Sequence, residues 1–243
     1  MRLDHALVER GLSATRSRAR DAILRGTVAV NGSIAARPGD PVSAGDRIAV
    51  DDPAASWVSR AALKLVHGLD HFGFDPAGRL ALDIGASTGG FTQVLLERGA
   101  RHVFAVDVGH GQIAPAIGGD PRVTLLEGLN ARDLAAMHLG DVRPEAMVSD
   151  VSFISLRLAL PPALDLAAPG AFGLFLVKPQ FEAGRSAVGK RGIVPKAVAL
   201  QTAWEVADWL ATVEGWRVLG LTASPIEGGD GNAEFLLGAE KCL

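Results

Sequence analysis

Residues Leu80 to Gly99 read LALDIGASTGGFTQVLLERG. Leu80, Leu82 and Ile84 mark a buried strand. Gly85-Ala86-Ser87-Thr88-Gly89-Gly90 follows, every residue small, and then Phe91, Val94, Leu95 and Leu96 recur at helical spacing until Gly99 stops the run. Strand, tight loop and helix make the first half of a βαβ unit. Its small residues let a ligand approach the backbone, and the helix start offers N–H groups to it. The next apolar run, His102 to Val106, ends in Asp107, 24 residues beyond Asp83. An acid at that strand end is where nucleotide-binding sheets hold ribose hydroxyls. The alternative is an ordinary tight turn between strand and helix.

The ligand class follows from spacing. Gly85-x-x-x-Gly89-Gly90 is not the G-x-G-x-x-G of dinucleotide sites, nor the G-x-x-x-x-G-K-[ST] of a phosphate-binding loop. Asp83, two residues before the first glycine, is more typical of S-adenosylmethionine (SAM) binders, where a carboxylate can face the methionine ammonium.

The 243 residues carry a net charge of −3. That figure hides an asymmetry: residues 1–50 hold eight Arg against five Asp and Glu, a net of +3, and the remainder is −6. A basic end on an acidic body suggests a separate module for a polyanion. The single cysteine, Cys242, excludes an internal disulfide framework and a cysteine-based zinc site, and no metal is expected. The opening MRLDHALVERG has acids and no long apolar core, unlike a secretory signal. Leu156 to Val177, the most apolar region, is broken by Arg157, Asp165 and three prolines, so no membrane insertion is expected and a cytoplasmic protein is the default.

Taken in order, Leu3 and Leu7 open a short helix ended by Gly11. Thr15 caps a second, with Ala19, Ala22 and Ile23 as its core stripe and Gly26 as its end. Val28 to Val30, the turn Asn31-Gly32 and Ser33-Ile34 read as a hairpin, closed by a strand over 45–50. Five arginines from Arg10 to Arg25 are expected to face away from this core, and arginine suits bidentate phosphate contact and base stacking; a merely solvated helix face is the alternative. RLDHALVERG, TRSRARDAILRGTVAVNG and GDRIAV together resemble the S4-type RNA-binding domain found in RNA-modifying enzymes. That resemblance implies RNA contacts by Arg2, Arg16, Ser17, Arg18 and Arg20. The module is expected over 1–55, ending in the linker around Asp51-Asp52-Pro53, with the catalytic domain over 56–243.

In the second part a helix is expected from Trp57 through Leu69, carrying Lys64. Strands are expected near 80–84, 102–107, 122–126, 146–150, 172–177, 216–222 and 234–238. Val108 to Gln112 forms a second glycine-loosened loop that suits an adenosine edge, and Asn130 follows the third of these strands. Ligands bind at the carboxyl ends of such strands, so Asp83, Asp107, Asp150 and Lys178 gather at one crevice. Residues 185–196 read as a mobile loop, and Trp204 and Trp209 as core residues of a helix over 199–213.

DIGASTGGFT, VDVGHGQ, SDVSFISL and LVKPQFE closely resemble the TlyA family, hemolysin-like in older naming, whose catalytic half is similar to the FtsJ/RrmJ type of ribosomal RNA 2′-O-methyltransferase. The resemblance implies an α/β fold: a class I, Rossmann-like, seven-stranded SAM-dependent methyltransferase sheet preceded by a small α+β RNA-binding domain. It implies a Lys-Asp-Lys-Glu tetrad at Lys64, Asp150, Lys178 and Glu234. Of these, Lys178 is the principal group, Asp150 orients it near the methyl, and Lys64 and Glu234 position the ribose. It implies SAM binding by Asp83, Gly85, Ala86, Ser87, Thr88, Gly89, Gly90, Phe91, Asp107, Val108, Asn130 and Asp150. The expected partners are ribosomal RNA or ribosomal subunits, with cytidine the target nucleoside. Ala61-Ala62, Leu129 and Arg191 depart from the family's usual residues but leave the tetrad intact.

Three rivals are weighed against this reading. Base N-methylation favours an [ND]-P-P-[YF]-like run where this chain has Asp150-Val-Ser-Phe153. An RNA-binding assembly factor with a dead methyltransferase fold fits poorly with an intact tetrad. A membrane-lytic protein lacks a span or a strongly amphipathic basic helix. Oligomeric state and the methylated nucleotide are not legible.

Overall fold

The computed structural model describes residues 1–184, 189 and 192–243, so most of the 185–191 part of the expected mobile loop, Arg191 included, lies outside the described residues. The chain forms two compact units, Met1–Trp57 and Val58–Leu243.

In the first unit, α1 (Leu3–Glu9) and α2 (Arg16–Leu24) accompany a sheet of β1 (Val28–Val30), β2 (Ser33–Ile34) and β3 (Ile48–Val50), antiparallel in the order β2-β1-β3. The Thr15 hydroxyl accepts from Arg18 N–H at 3.3 Å, which satisfies one free donor at the start of α2. Ala19, Ala22 and Ile23 are buried with Leu3, Ala6, Leu7 and Val28 in one core. The β1–β2 turn has φ of 51° at Asn31 and 84° at Gly32, the positive values that a two-residue hairpin of matching twist requires. Two expectations are corrected. The closing strand starts at Ile48 rather than 45, because Ser43 to Asp46 is tied into a turn in which Ser43 N–H donates to Asp46 Oδ2 at 2.7 Å. The arginines do not all face away: Arg25 is largely buried and pairs with Asp52 at 2.7 Å.

The second unit runs α3 (Ala62–Phe72), β4 (Leu80–Ile84), α4 (Gly90–Glu97), β5 (His102–Asp107), α5 (Pro115–Gly118), β6 (Val123–Glu127), β7 (Ala146–Ser149), α6 (Leu156–Ala159), α7 (Pro161–Leu166), β8 (Phe172–Val177), α8 (Pro179–Glu182), α9 (Lys196–Ala211), β9 (Trp216–Ala223) and β10 (Phe235–Lys241). Its seven-stranded sheet has the order β6-β5-β4-β7-β8-β10-β9, parallel except for β10, which runs antiparallel between β8 and β9. The central strands are mostly apolar because helices cover the sheet, and every residue of β8 is buried. One core joins Leu82, Ile84, Val106, Met147 and Phe175 to Leu156, Leu160 and Leu164 below α6 and α7 and to Val206 and Leu210 of α9.

The chain steps outward from β4 to β6 and then returns to β7 on the other side of β4. That reversal opens a crevice at the carboxyl ends of β4 and β7. The antiparallel β10 brings its first residues to the same edge, since Phe235 pairs with Val177 at the end of β8. Helix α3 seats closely on β8 and β10. A Cβ on Gly68 would stand 2.7 Å from Leu174, and one on Gly238 2.7 Å from the Phe72 ring.

Two more expectations change. The helix foreseen from Trp57 begins at Ala62; before it, Ala62, Leu63 and Lys64 N–H donate to carbonyls three residues back, which makes tight turns rather than α-helix. Trp204 is not a core residue: it is 47% exposed on the outer face of α9, while Trp209 packs at the core's margin.

Candidate active site

Two adjoining cavities lie at the crevice. The larger, about 900 Å³, is walled by the ends of β4 and β5, the stretch 129–132 and the segment 150–155. The smaller, about 150 Å³, is walled by Ser59, Ala61, the loop 85–91 and Lys178. Gly85, Ser87, Asp150 and Ser152 line both. Of the residues expected to hold the cofactor, Gly85, Ser87, Asp107, Val108, Asn130 and Asp150 line the larger cavity. Ala86, Thr88, Gly90 and Phe91 line the smaller, and Asp83 and Gly89 line neither.

The glycines of this loop are also closely packed within the protein. Gly85, at φ +86°, would carry a Cβ 2.9 Å from the Asp150 carbonyl oxygen. A Cβ on Gly89, at φ +91°, would meet Ile117 at 3.0 Å, and one on Gly90 would meet Ser59 at 2.9 Å. Asp107 braces both walls: Oδ2 accepts from Ser87 N–H at 2.8 Å and Oδ1 from Gly109 N–H at 2.7 Å. Asn130 accepts from Arg132 N–H at 3.1 Å and so caps the short 3₁₀ turn Ala131–Asp133. Asp83 lies fully buried behind the loop, with the Thr92 hydroxyl donating to Oδ2 at 2.6 Å and Oδ1 unpartnered among the described residues. Burial, helped by the charges of Asp150 and Asp107, pushes its carboxyl up to about 7.

The expected tetrad forms two ion pairs. Lys178 Nζ stands 2.6 Å from Asp150 Oδ1 and donates to Ser152 Oγ at 2.8 Å. The carboxylate contact is close but off-line, for Asp150 Oδ1 has no partner with hydrogen-bond geometry among the described residues. Lys64 and Glu234 pair at 2.5 Å and are both buried, lining neither cavity. Register places Glu234, one residue before Phe235, beside Lys178, one residue after Val177. Loss of either member of the buried pair would leave a charge uncompensated.

Sequence reasoning passed over the aromatic wall. Phe153 is 90% exposed with φ +64°, its ring centroid 5.0 Å from that of Phe181, and both line the larger cavity. A phenylalanine held in left-handed backbone and left in solvent costs free energy twice over. The signal lay in SDVSFISL and KPQFE, each with an aromatic inside a polar strand-end run. Glu182 ties these two segments, accepting from Ser155 Oγ at 2.6 Å and Leu156 N–H at 2.7 Å; burial pushes its carboxyl up against those bonds.

The arginines named from the S4-type pattern have internal work. Arg2 Nε donates to Oδ1 of the buried Asp4 at 3.0 Å and Arg16 Nε to Oδ2 at 2.9 Å. The Arg2 hydrogen bond, with that of Arg16, holds the Asp4 carboxyl well below the usual range, over the opposing effect of burial. Arg18 donates to the carbonyls of Ala54, Ala55 and Trp57 at 3.0, 3.2 and 2.6 Å. Ser17 and Arg20 are exposed, and Arg20 makes no side-chain hydrogen bond or ion pair among the described residues.

The FtsJ-like methyltransferase family matches residues 57–241, and the S4 domain matches residues 1–48. The chain is 44% identical to the 16S/23S rRNA (cytidine-2′-O)-methyltransferase TlyA of Mycobacterium tuberculosis, over 97% of this chain and 88% of that one. The chain belongs to the TlyA family of FtsJ-like methyltransferases. Hemolysin A of Brachyspira hyodysenteriae is 39% identical over 97% of this chain and 98% of its own. Among solved structures, a hemolysin-named chain from Streptococcus thermophilus superposes with a TM-score of 0.77 at 38% identity, covering all of this chain and 88% of that one. Among the described residues no helix is long and apolar enough to cross a membrane, and no group of three His, Cys, Asp or Glu side chains is placed to hold a metal ion.

Proposed function

We propose that the chain moves a methyl group from SAM to a ribose 2′-hydroxyl of ribosomal RNA, a cytidine being the target, as the names of its relatives in Mycobacterium tuberculosis and Campylobacter jejuni describe for those proteins. An enzyme of that kind works in the cytoplasm, on ribosomal RNA or ribosomal subunits. The observation that carries the reading is the Lys178–Asp150 pair where the two cavities meet.

The residues present fit SAM. The larger cavity has the volume of a small-molecule site, and its polar lining includes the carboxylates of Asp107 and Asp150, suited to a ligand with cationic sulfonium and ammonium groups. Asp107 and Asn130 would hold the adenosine part, with Val108 against it. The loop 85–91 would face the methionine part, and Asp83 would act from behind that loop. Bound SAM supplies an electrophilic methyl on sulfur. Lys178 then addresses the 2′-hydroxyl. The ribose oxygen gains the methyl carbon as the carbon–sulfur bond breaks, the bonding pair stays on sulfur, and the hydroxyl proton passes to neutral Lys178 Nζ or, where the lysine only orients the hydroxyl, to water. Asp150 holds the amine near the methyl. The buried Lys64–Glu234 pair fixes the wall beside it and so the ribose. Phe153, with Phe181 behind it, presents a face on which a nucleobase can stack. In the first unit Ser17 and Arg20 meet the RNA, joined by Arg2, Arg16 and Arg18 so far as their internal bonds leave donors free.

The test is single-turnover methyl transfer to unmethylated ribosomal subunits. Lys178→Ala is expected to lose at least about a hundredfold in rate while SAM and RNA binding persist, the pattern of a group that acts in the transition state. Lys178→Arg separates the two roles, since arginine keeps the charge but does not deprotonate. A base predicts an Arg variant as inactive as Ala, an orienting cation predicts partial activity, and wild-type rates in Lys178→Ala would remove the reading.

A further inference from the structure

Lys178 has two close neighbours of different kinds. Asp150 Oδ1, at 2.6 Å, neutralises its charge, yet that oxygen lies off any hydrogen-bond direction. Ser152 Oγ, at 2.8 Å, accepts a hydrogen bond from Nζ. A charge pair attracts without fixing direction, whereas a hydrogen bond weakens steeply away from its axis. The nitrogen is tetrahedral. Cε takes one direction and the Ser152 hydroxyl a second, and the carboxylate crowds one side without taking a hydrogen-bond direction, so the serine bond fixes where the two remaining directions point.

The serine is itself held. It lines both cavities and stands between Asp150, whose N–H donates to the Ile84 carbonyl at 3.0 Å, and Phe153, whose left-handed backbone turns the segment sharply. Three residues on, Ser155 and Leu156 are clamped by Glu182, which belongs to the segment that also bears Lys178. The two segments are therefore tied twice, at Glu182 and at the Lys178–Ser152 bond.

We propose that Ser152 is a positioning residue for methyl transfer: its hydroxyl aims the Lys178 amine at the 2′-hydroxyl, while Asp150 supplies the compensating charge. The proposal rests on the reading of Lys178 given above. It concerns orientation, so it predicts a loss in the chemical step without a loss in binding. It also predicts rescue by a side chain that restores the hydroxyl.

The experiment compares wild type, Ser152→Ala, Ser152→Thr and Lys178→Ala in single-turnover transfer of a tritiated methyl from SAM to unmethylated ribosomal subunits. SAM affinity is measured by calorimetry and folding by thermal melting. Ser152→Ala is expected to lose about tenfold or more in rate at saturation, with SAM affinity and half-saturating RNA within about twofold of wild type. Ser152→Thr is expected to recover most of the rate. A wild-type rate in Ser152→Ala overturns the proposal, as does a rate loss matched by an equal loss of SAM affinity, or a Thr variant no better than Ala. If Lys178→Ala alone keeps its rate, the reading of Lys178 falls instead, so the two failures are told apart.

Discussion

Asp83 ionises near 3.8 in an unfolded chain and near 7 in the folded one. For an acid shifted upward, the favourable contribution is complete below the lower value and is lost as pH rises through the upper one. The protein should therefore lose stability from about pH 4 to pH 7 on this residue's account, by a few kcal/mol in all. Asp83→Asn, which keeps an acceptor for Thr92 and cannot ionise, is expected to melt increasingly above wild type across that window and to hold a constant gap above it. Melting curves from pH 4.5 to 8.5 decide this, and a gap independent of pH would count against it. At this scale the sequence was legible where side-chain position follows from strand register. Asp107, Asp150 and Lys178 end three apolar runs, and all three reach the crevice. It was not legible where a contact joins distant residues. Arg18 looked free for RNA because its bonds go to carbonyls 36 to 39 residues away. Phe153 looked like any apolar residue because its exposure depends on a positive φ.

The loop from β4 to α4 and the segment leaving β7 touch at Gly85, and that contact gives the element its own test. Gly85→Ala forces both an unfavourable φ and a Cβ 2.9 Å from a backbone carbonyl next to Asp150. Gly89→Ala carries a similar φ cost, but its Cβ meets the Ile113 and Ile117 side chains at 3.0–3.3 Å rather than a backbone carbonyl. Gly89→Ala is expected to cost about 1–2 kcal/mol, and Gly85→Ala more, with methyl transfer falling further than SAM binding because Asp150 is displaced. Denaturant titration and calorimetry on the pair check the order; equal costs would show that φ alone governs both. The elements were foreseen well because the switch from alternating to helical spacing at Gly85–Gly90 needs only local sequence. The helix expected from Trp57 was not, because tertiary contacts hold residues 57–61 in turns, which local sequence does not reveal. One such contact is Val58 N–H donating to Gln93 at 2.8 Å.

For the whole molecule, RNA affinity should fall with salt, since a cationic module on an acidic chain releases counterions when it binds. Arg20→Ala is expected to flatten the plot of log affinity against log salt by about 0.7–0.9 for each phosphate that the arginine neutralises, without lowering the melting temperature. Arg16→Ala is expected to lower the melting temperature as well, because Asp4 then keeps one partner fewer in its buried position. Filter binding across a salt series with parallel melts separates them, and an unchanged slope for Arg20→Ala would return that residue to the solvated-face reading. The place of β10 has a different bearing. Lys64 and Glu234 are 170 residues apart, and the strand that follows Glu234 is laid between two strands made before it. Until that strand is in place, Lys64 lacks its counter-ion even though Asp107, Asp150 and Lys178 all precede it in the chain. Order of synthesis would then become order of activation: a chain cut short of its last strand is expected to be inactive in methyl transfer, because Lys64 is left without its partner.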